Sequence, residues 1–468
     1  MSNHLVWFRS DLRVLDNPAL STAAKSGQVI GLFLLAPKQW QEHGLAAKKI
    51  AFVLRSVDAL SQRLAALGIA TRIIVADRFA DAPQQVLQAA QAVQASKVFW
   101  NDEIAIDEQR RDNAVAQALT ASGIAVERHQ AFTGLPPGSV CKPDGSAYSV
   151  FTPFKKRWIS IAMEQGINPL PAPTAQGPVV DAATVPDPLN GVDKFLGADF
   201  WPGGEERALA QLTQFTAEAV AAYDTDRDLP NLAGTSKLSP HLAAGTLSAN
   251  QCLEAAQQNN DGKLSGGVSG IDTWISEIIW RDFYNHILAE HPRLAMGRAF
   301  KAETDQLPWN HSQEQLQRWQ QGETGFPFVD AGMRQLNRTG WMHNRLRMVT
   351  AQFLAKHLFL DWRLGEAYFM SQLVDGDFAA NNGGWQWSAS TGTDAVPYFR
   401  IFNPVRQAER FDPEGEFVRQ MIPELSDTNA KQALEPWKFG GVGNYPEPMI
   451  DLREARDRTL AIWKHARA

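Results

Sequence analysis

The chain has 468 residues, two cysteines and a formal net charge of -6. That length is more than one hydrophobic core usually serves, so at least two domains are expected; Cys141 and Cys252 cannot build a disulfide framework, which suits a reducing cytoplasm. The acidic balance argues against an unspecific nucleic-acid coat but not against a local basic site, and with no cleavable leader or bilayer-length apolar run recognised, a soluble cytoplasmic protein is expected.

From the N-terminus two kinds of segment alternate. Residues 4–8 predict a buried strand, followed by a loop holding Asp11 and Asp16. A second strand spans 29–35, and apolar positions three and four apart predict a long helix over 46–67. Strand 69–75, a helix around 86–93, strand 98–100, a helix over 107–120 and strand 124–127 follow. This alternation predicts an α/β, Rossmann-like parallel sheet covered on both faces. No GxGxxG follows the first strand, so no dinucleotide is placed there.

Residues 132–203 are rich in proline and glycine and read as a long connector with one helix over 153–165. After residue 204 helical patterns dominate, at 205–223, 271–291, 314–320, 328–336, 346–357 and 363–373. The C-terminal domain is therefore expected to be all-helical.

Four clusters there carry polar groups that a plain helical core does not need. Glu277, Trp280, Arg281 and Tyr284 follow Trp274 at helical spacing and can share one face, with a carboxyl group among planar rings. Asn344 offers a donor and an acceptor within residues 340–348. Residues 375–377, 381–384 and 385–387 predict a polar, glycine-marked turn beside aromatic surface. Thr235 to Ser239 precede Pro240 and a helix, a setting that suits either phosphate oxygens or an ordinary serine cap. Residues 331–360 carry Arg334, Arg338, Arg345, Arg347 and Lys356 without an acidic residue, either a basic site or a solvated face. His241, His286 and His343 read as isolated hydrogen-bonders, and no spaced His/Cys set predicts a metal.

Residues 276–284, 325–348 and above all 362–402 carry a specific likeness, extended by residues 4–9, by Asp11-Leu12-Arg13 and by Pro436-Trp437. In these stretches the chain resembles the DNA photolyase and cryptochrome family, and within it the bacterial class I, folate-antenna enzymes that act on cyclobutane pyrimidine dimers. The resemblance implies an antenna domain over 1–131, the connector over 132–203, and a helical FAD-binding catalytic domain over 204–468. It also implies FAD working in its reduced anionic form. By the same likeness Tyr223, Thr235, Ser236, Lys237, Leu238 and Ser239 contact the cofactor. Trp274, Arg281, Asn344 and Arg347, with Asp375, Gly376, Asp377 and Asn381, enclose the rest; Asn381 lies near flavin N5, where an amide can rotate to suit the reduced ring.

The implied chemistry is light-driven electron transfer to a flipped-out dimer in DNA. Glu277 bonds the lesion's polar edge, Trp280 and Trp387 supply apolar faces, and Met348 lies beside them. Arg281, Tyr284 and Asn344 also face the DNA, while Arg345, Arg400 and Arg410 take backbone phosphates. Trp385, Trp362 and Trp309 match a relay from flavin to surface. Glu108 matches a residue that holds a methenyltetrahydrofolate antenna, whereas Ala295-Met296 lacks the Cys-Lys pair of the folate-binding relative. The competing expectations are a cryptochrome photoreceptor and repair of another photoproduct. Asn381, Glu277 and Trp280 favour cyclobutane-dimer repair, and Asn344 after His343 departs from a His pair suited to (6-4) products. A monomer without an obligate protein partner is expected.

Overall fold

The computed structural model describes residues 2–466. Five strands, β1 (Asn3–Phe8), β2 (Gln28–Leu35), β3 (Thr71–Val75), β4 (Ala95–Asn101) and β5 (Ala125–His129), form one sheet in the order β3-β2-β1-β4-β5. Every adjacent pair is parallel, with Phe8 opposite Phe33 and Val98 opposite Val126. Central strands of such a sheet are covered on both faces and read as apolar runs. Leu5 to Phe8 and Val98 to Trp100 are accordingly buried.

Helices Ala47–Ala66, Ala82–Ala92 and Ile106–Ala121 make the expected crossovers. A further helix, Pro18–Ser26, follows β1 and was not legible as a periodic segment. Local chemistry starts it: Asn17 accepts from the Leu20 amide, and Pro18 suits a first helical position.

The connector carries helix Phe151–Gln165 and is held elsewhere by hydrogen bonds and by the Lys194–Asp58 ion pair at 3.0 Å. The Gln176 and Val180 amides donate to the Leu67 and Ala65 carbonyls. Asp282 accepts from the Gly134 and Leu135 amides and from Trp158 Nε1.

Two compact units result. One comprises Met1–Ala221, Ser236–Ala295 and Val374–Asp377; the other comprises Ala222–Thr235, Met296–Leu373 and Phe378–Ala468. The helical region after residue 204 contributes to both. The second unit packs helices Pro327–Thr339, Asn344–Gln352, Trp362–Gln372 and Phe378–Ala389 around Trp319, Met342, Leu354 and Trp385.

Two local expectations are corrected. The helix expected over 346–357 ends at Gln352 and gives way to a π-helical turn, Phe353–His357. The polar turn expected from residue 381 is helical instead, because Phe378–Ala389 runs through Gly383 and Gly384. Packing overrides glycine's weak helix propensity here: Asn382 Nδ2 donates to Glu366 Oε1, and Gln386 Nε2 donates to Asn382 Oδ1. Among the described residues no helix is long and apolar enough to cross a membrane.

Candidate active site

Helix Ser269–Glu290 sets the first part of the site. At 100° per residue, Trp274, Glu277, Trp280, Arg281 and Tyr284 fall on one side. Glu277, Trp280, Arg281 and Tyr284 are half-buried, whereas Ile278, Ile279, Asp282 and Phe283 behind them are buried. Trp274 closes one end, buried against Phe215 with ring centroids 5.1 Å apart. At the other end Trp280 lies flat on Phe151, centroids 3.7 Å apart and planes 9° from parallel, with Tyr284 5.5 Å away. Arg281 is held by Nη1 donation to the Phe132 carbonyl at 2.7 Å and stacks 4.4 Å from the Phe132 ring. The helix therefore presents a carboxylate flanked by aromatic planes.

The segment from Thr235 to Ser239 has no serine cap: Leu238 precedes helix Ser239–Ala244 and makes no side-chain cap bond. Leu238 is buried, so only its backbone can meet a ligand, while Lys237 is exposed at a left-handed φ of 51°. Gln211 Nε2 steadies the turn by donating to the Ser236 carbonyl at 2.7 Å. In the same unit the Lys49 ammonium donates to the Gly376 carbonyl. Burial lowers the Lys49 pKa, while Asp377 and Asp375 oppose that shift.

In the second unit His343 caps helix Asn344–Gln352, its Nδ1 accepting from the Arg345 amide. Burial pushes the His343 pKa down to about 4, so the ring is neutral at physiological pH. Asn344 is exposed, and Arg347 Nε donates to the Met342 carbonyl at 2.8 Å. Arg345 bonds Asp228 at 2.6 Å and lies 3.9 Å from Met348 Sδ. Arg345 and Arg410 both stack on Phe411, 4.2 and 5.0 Å from its ring. Tyr223 is buried with Arg227 5.3 Å over its ring.

The basic run over 331–360 is not one surface. Arg334 is paired with Glu424 at 2.7 Å, Arg338 reaches Met421 Sδ, and Lys356 is buried.

Asn381 donates through Nδ2 to the Glu366 carbonyl at 3.0 Å. That bond gives Nδ2 a backbone partner, with Oδ1 as the amide's acceptor. Glu366 is itself buried, and burial raises its pKa against the Asn382 hydrogen bond.

Trp385, Trp362 and Trp309 are all buried in this unit, and none of their indole N–H groups has an acceptor. Buried orphan donors are uncommon and call for a reason; Trp7 and Trp463 share the trait. Trp362 and Gly365 lie one turn apart, and Trp385 presses on Gly365 so closely that a Cβ there would sit 2.1 Å from its Cη2. Trp309 packs on Phe359 at 4.8 Å. Trp319, which sequence reasoning passed over, meets Trp385 edge-on at 5.9 Å. Trp387 is half-buried, and Arg400 and Arg410 are exposed.

Glu108 lies in a separate acidic cluster where the strand order reverses between β1 and β4, the usual ligand crevice of such sheets. Glu103 bonds Arg111 at 2.6 Å and Ser10 at 2.5 Å. Burial acts to raise the Glu103 pKa, but Arg111 and Arg9 bring it down to about 2. Burial and then that neighbouring charge push Glu108 up to about 7. His43 Nδ1 is 4.0 Å from Glu108. Among the described residues no cluster of His, Cys, Asp or Glu could hold a metal ion.

A carboxyl group on one helix face, between buried Trp274 and half-buried Trp280, suits a planar ligand with a polar edge. Comparison with known proteins carries this further. The family model described as DNA photolyase matches residues 4–174, and the FAD binding domain of DNA photolyase matches residues 274–465. The deoxyribodipyrimidine photo-lyase of Escherichia coli (strain K12) is 43% identical, covering 100% of this chain and 99% of its own. The class III photolyase structure from Agrobacterium tumefaciens superposes with a TM-score of 0.85 at 33% identity, covering 100% of this chain and 98% of its own. The Synechocystis sp. PCC6803 cryptochrome structure gives 0.86 at 26% identity, covering 99% of each chain. The chain belongs to the DNA photolyase family, and FAD is its cofactor.

The residues present fit that cofactor. The exposed Lys237 on a braced turn suits a phosphate, and Asn381, whose Nδ2 donates to the Glu366 carbonyl, keeps Oδ1 as an acceptor.

Proposed function

We infer that this chain is a light-driven lyase that splits cyclobutane pyrimidine dimers in DNA. The observation that carries the reading is the half-buried face of Glu277, Trp280, Arg281 and Tyr284, backed by buried Ile278, Ile279, Asp282 and Phe283 on the same helix. When bound, reduced FAD supplies an electron on absorbing light. Tyr223 and the segment from Thr235 to Ser239 hold the cofactor, with Lys237 beside its phosphates. Trp274, Arg281, Asn344, Arg347, Asp375, Gly376, Asp377 and Asn381 enclose it, and Asn381 offers Oδ1 to a ring N–H.

Trp280, already stacked on Phe151, gives the extruded dimer one flat apolar wall, and Trp387 gives another, with Met348 alongside. Unstacking a poorly paired lesion costs less than unstacking a normal step. Glu277 bonds the lesion's polar edge, and it is the carboxyl O–H form, as a donor, that offsets the negative charge the lesion gains. Arg345, Arg400 and Arg410 hold phosphates, and Tyr284 and Asn344 line the approach. Trp309, Trp362 and Trp385 would pass electrons from an external reductant toward the bound cofactor. Residues 204–468 serve as the catalytic domain and 1–131 as the antenna domain, joined by 132–203, in a cytoplasmic monomer.

Methenyltetrahydrofolate is the proposed antenna, supported by Glu108 beside His43. Uptake of added folate with a new near-ultraviolet band supports that assignment, and failure to take it up removes it. The shared fold with a cryptochrome is compatible with signalling, but Glu277 and Trp280 favour repair. A pair of duplexes tests the substrate: pre-reduced protein repairs one cyclobutane thymine dimer under blue light and leaves a (6-4) product intact. Repair of the (6-4) duplex alone overturns the assignment.

A further inference from the structure

The segment from Ser390 to Phe402 joins the helix that carries Trp387 to the helix that carries Arg410, and it exposes Phe399 and Arg400. Two of its non-glycine residues are left-handed, Ser390 at φ 66° and Asp394 at φ 44°. Such conformations persist only where the surroundings over-determine them.

Farther along, side chains from outside the segment bond its backbone between Pro397 and Phe402. Lys356 Nζ donates to the Arg400 carbonyl at 3.1 Å and reaches the Pro397 carbonyl at 3.5 Å. His357 Nε2 bonds the Phe402 carbonyl at 2.8 Å. Gln352 Oε1 accepts from the Phe402 amide at 3.0 Å. Lys356 and His357 belong to the π-helical turn Phe353–His357, a geometry often found at functional sites. That turn is braced from behind: Thr459 Oγ1 donates to the Lys356 carbonyl at 2.5 Å, and Arg458 donates to the His357 carbonyl at 2.6 Å.

A fully buried lysine is costly unless its protons are used. Lys356 is 0% exposed; Lys301 and His357 are the charged or titratable groups that act on it, and Arg458 acts on His357 behind them. Its visible use is the pair of carbonyls around Arg400.

We propose that Gln352, Lys356 and His357 are positioning residues for DNA binding, fixing the Pro397-to-Phe402 backbone so that Arg400 meets a phosphate. This rests on the DNA-repair reading above. The three residues act through Arg400 and touch neither lesion nor cofactor. Burial and then Lys301 push the Lys356 pKa down to about 7. Its bonds are therefore charge-assisted below neutrality and weaken to neutral ones as pH rises through about 7.

The test uses the full chain with FAD bound. Lys356→Met is expected to weaken binding of a cyclobutane-dimer duplex about tenfold in the dark. FAD content and repair per photon at saturating duplex stay as in wild type. Wild-type affinity falls as pH rises through neutrality, and Lys356→Met lacks that step. Lys356→Met combined with Arg400→Ala binds no more weakly than Arg400→Ala alone, since both act on one contact. Wild-type affinity in Lys356→Met, or independent losses in the double variant, overturns the proposal. Should Lys356→Met lose its fold, Gln352→Met removes only the acceptor for the Phe402 amide, and the same comparisons decide. A wild-type protein that binds no lesion overturns the repair reading instead, a distinct result.

Discussion

Trp280 lies flat on Phe151, ring centroids 3.7 Å apart and planes 9° from parallel. One face of the indole is therefore spoken for, and its orientation is set before any ligand arrives. A stacked aromatic pair contributes about 0.5–1.5 kcal/mol beyond its buried area. Phe151→Ala is expected to weaken dark binding of a cyclobutane-dimer duplex by about twofold to tenfold without loss of FAD. Fluorescence anisotropy with labelled duplex measures it, and unchanged affinity removes Phe151 from the site.

Trp309→Phe should block photoreduction of oxidised cofactor while leaving repair by chemically reduced protein intact. Absorbance under blue light follows the first and dimer loss the second. If the pre-reduced variant also fails to repair, the relay assignment is wrong.

Arg345 is bound to Asp228 at 2.6 Å and stacked on Phe411 at 4.2 Å. Asp228→Asn removes a negative charge beside a proposed phosphate contact, and the Phe411 stack keeps the guanidinium in place. Undamaged duplex should bind more tightly, with a log–log salt slope steeper by about 0.9. A titration from low to moderate salt that shows no change in slope excludes Arg345 as a phosphate contact.

Burial and the charge of Glu103 raise the folded-state pKa of Glu108 to about 7, above the ordinary carboxylate value near 4.5. The folded state thus holds a proton that the unfolded chain has already released between those values. The associated stability is fully present below about pH 4.5 and is lost as pH rises through about 7. Glu108→Gln keeps the neutral shape and escapes that loss. Its melting temperature relative to wild type should rise between pH 5 and pH 8.5, by about 2–4 °C for each kcal/mol removed. Equal differences at both pH values contradict the shift.

The parallel sheet was legible because its central strands are apolar runs, as at residues 4–8. Helix Pro18–Ser26 was not, since Leu20 is its one large apolar residue and a cap and a proline start it. Phe378–Ala389 was misread as a turn because Asn-Asn-Gly-Gly is locally turn-like, and the Glu366 bond that holds it helical comes from another helix. In the site, Glu277, Trp280, Arg281 and Tyr284 were readable from helical spacing alone. Phe151, Asp228 and Glu366 were not, because each meets its partner on another element, Asp228 across 117 residues and Glu366 across 15. Lys356 looked like part of a basic surface, and only three-dimensional packing shows that it is buried.

The central claim is light-driven reversal of a cyclobutane dimer, tested by a duplex carrying one thymine dimer, chemically reduced protein and a matched dark control. Restored thymines are expected under blue or near-ultraviolet light and none in the dark. Intact dimers after illumination, with reduced FAD still bound, contradict it.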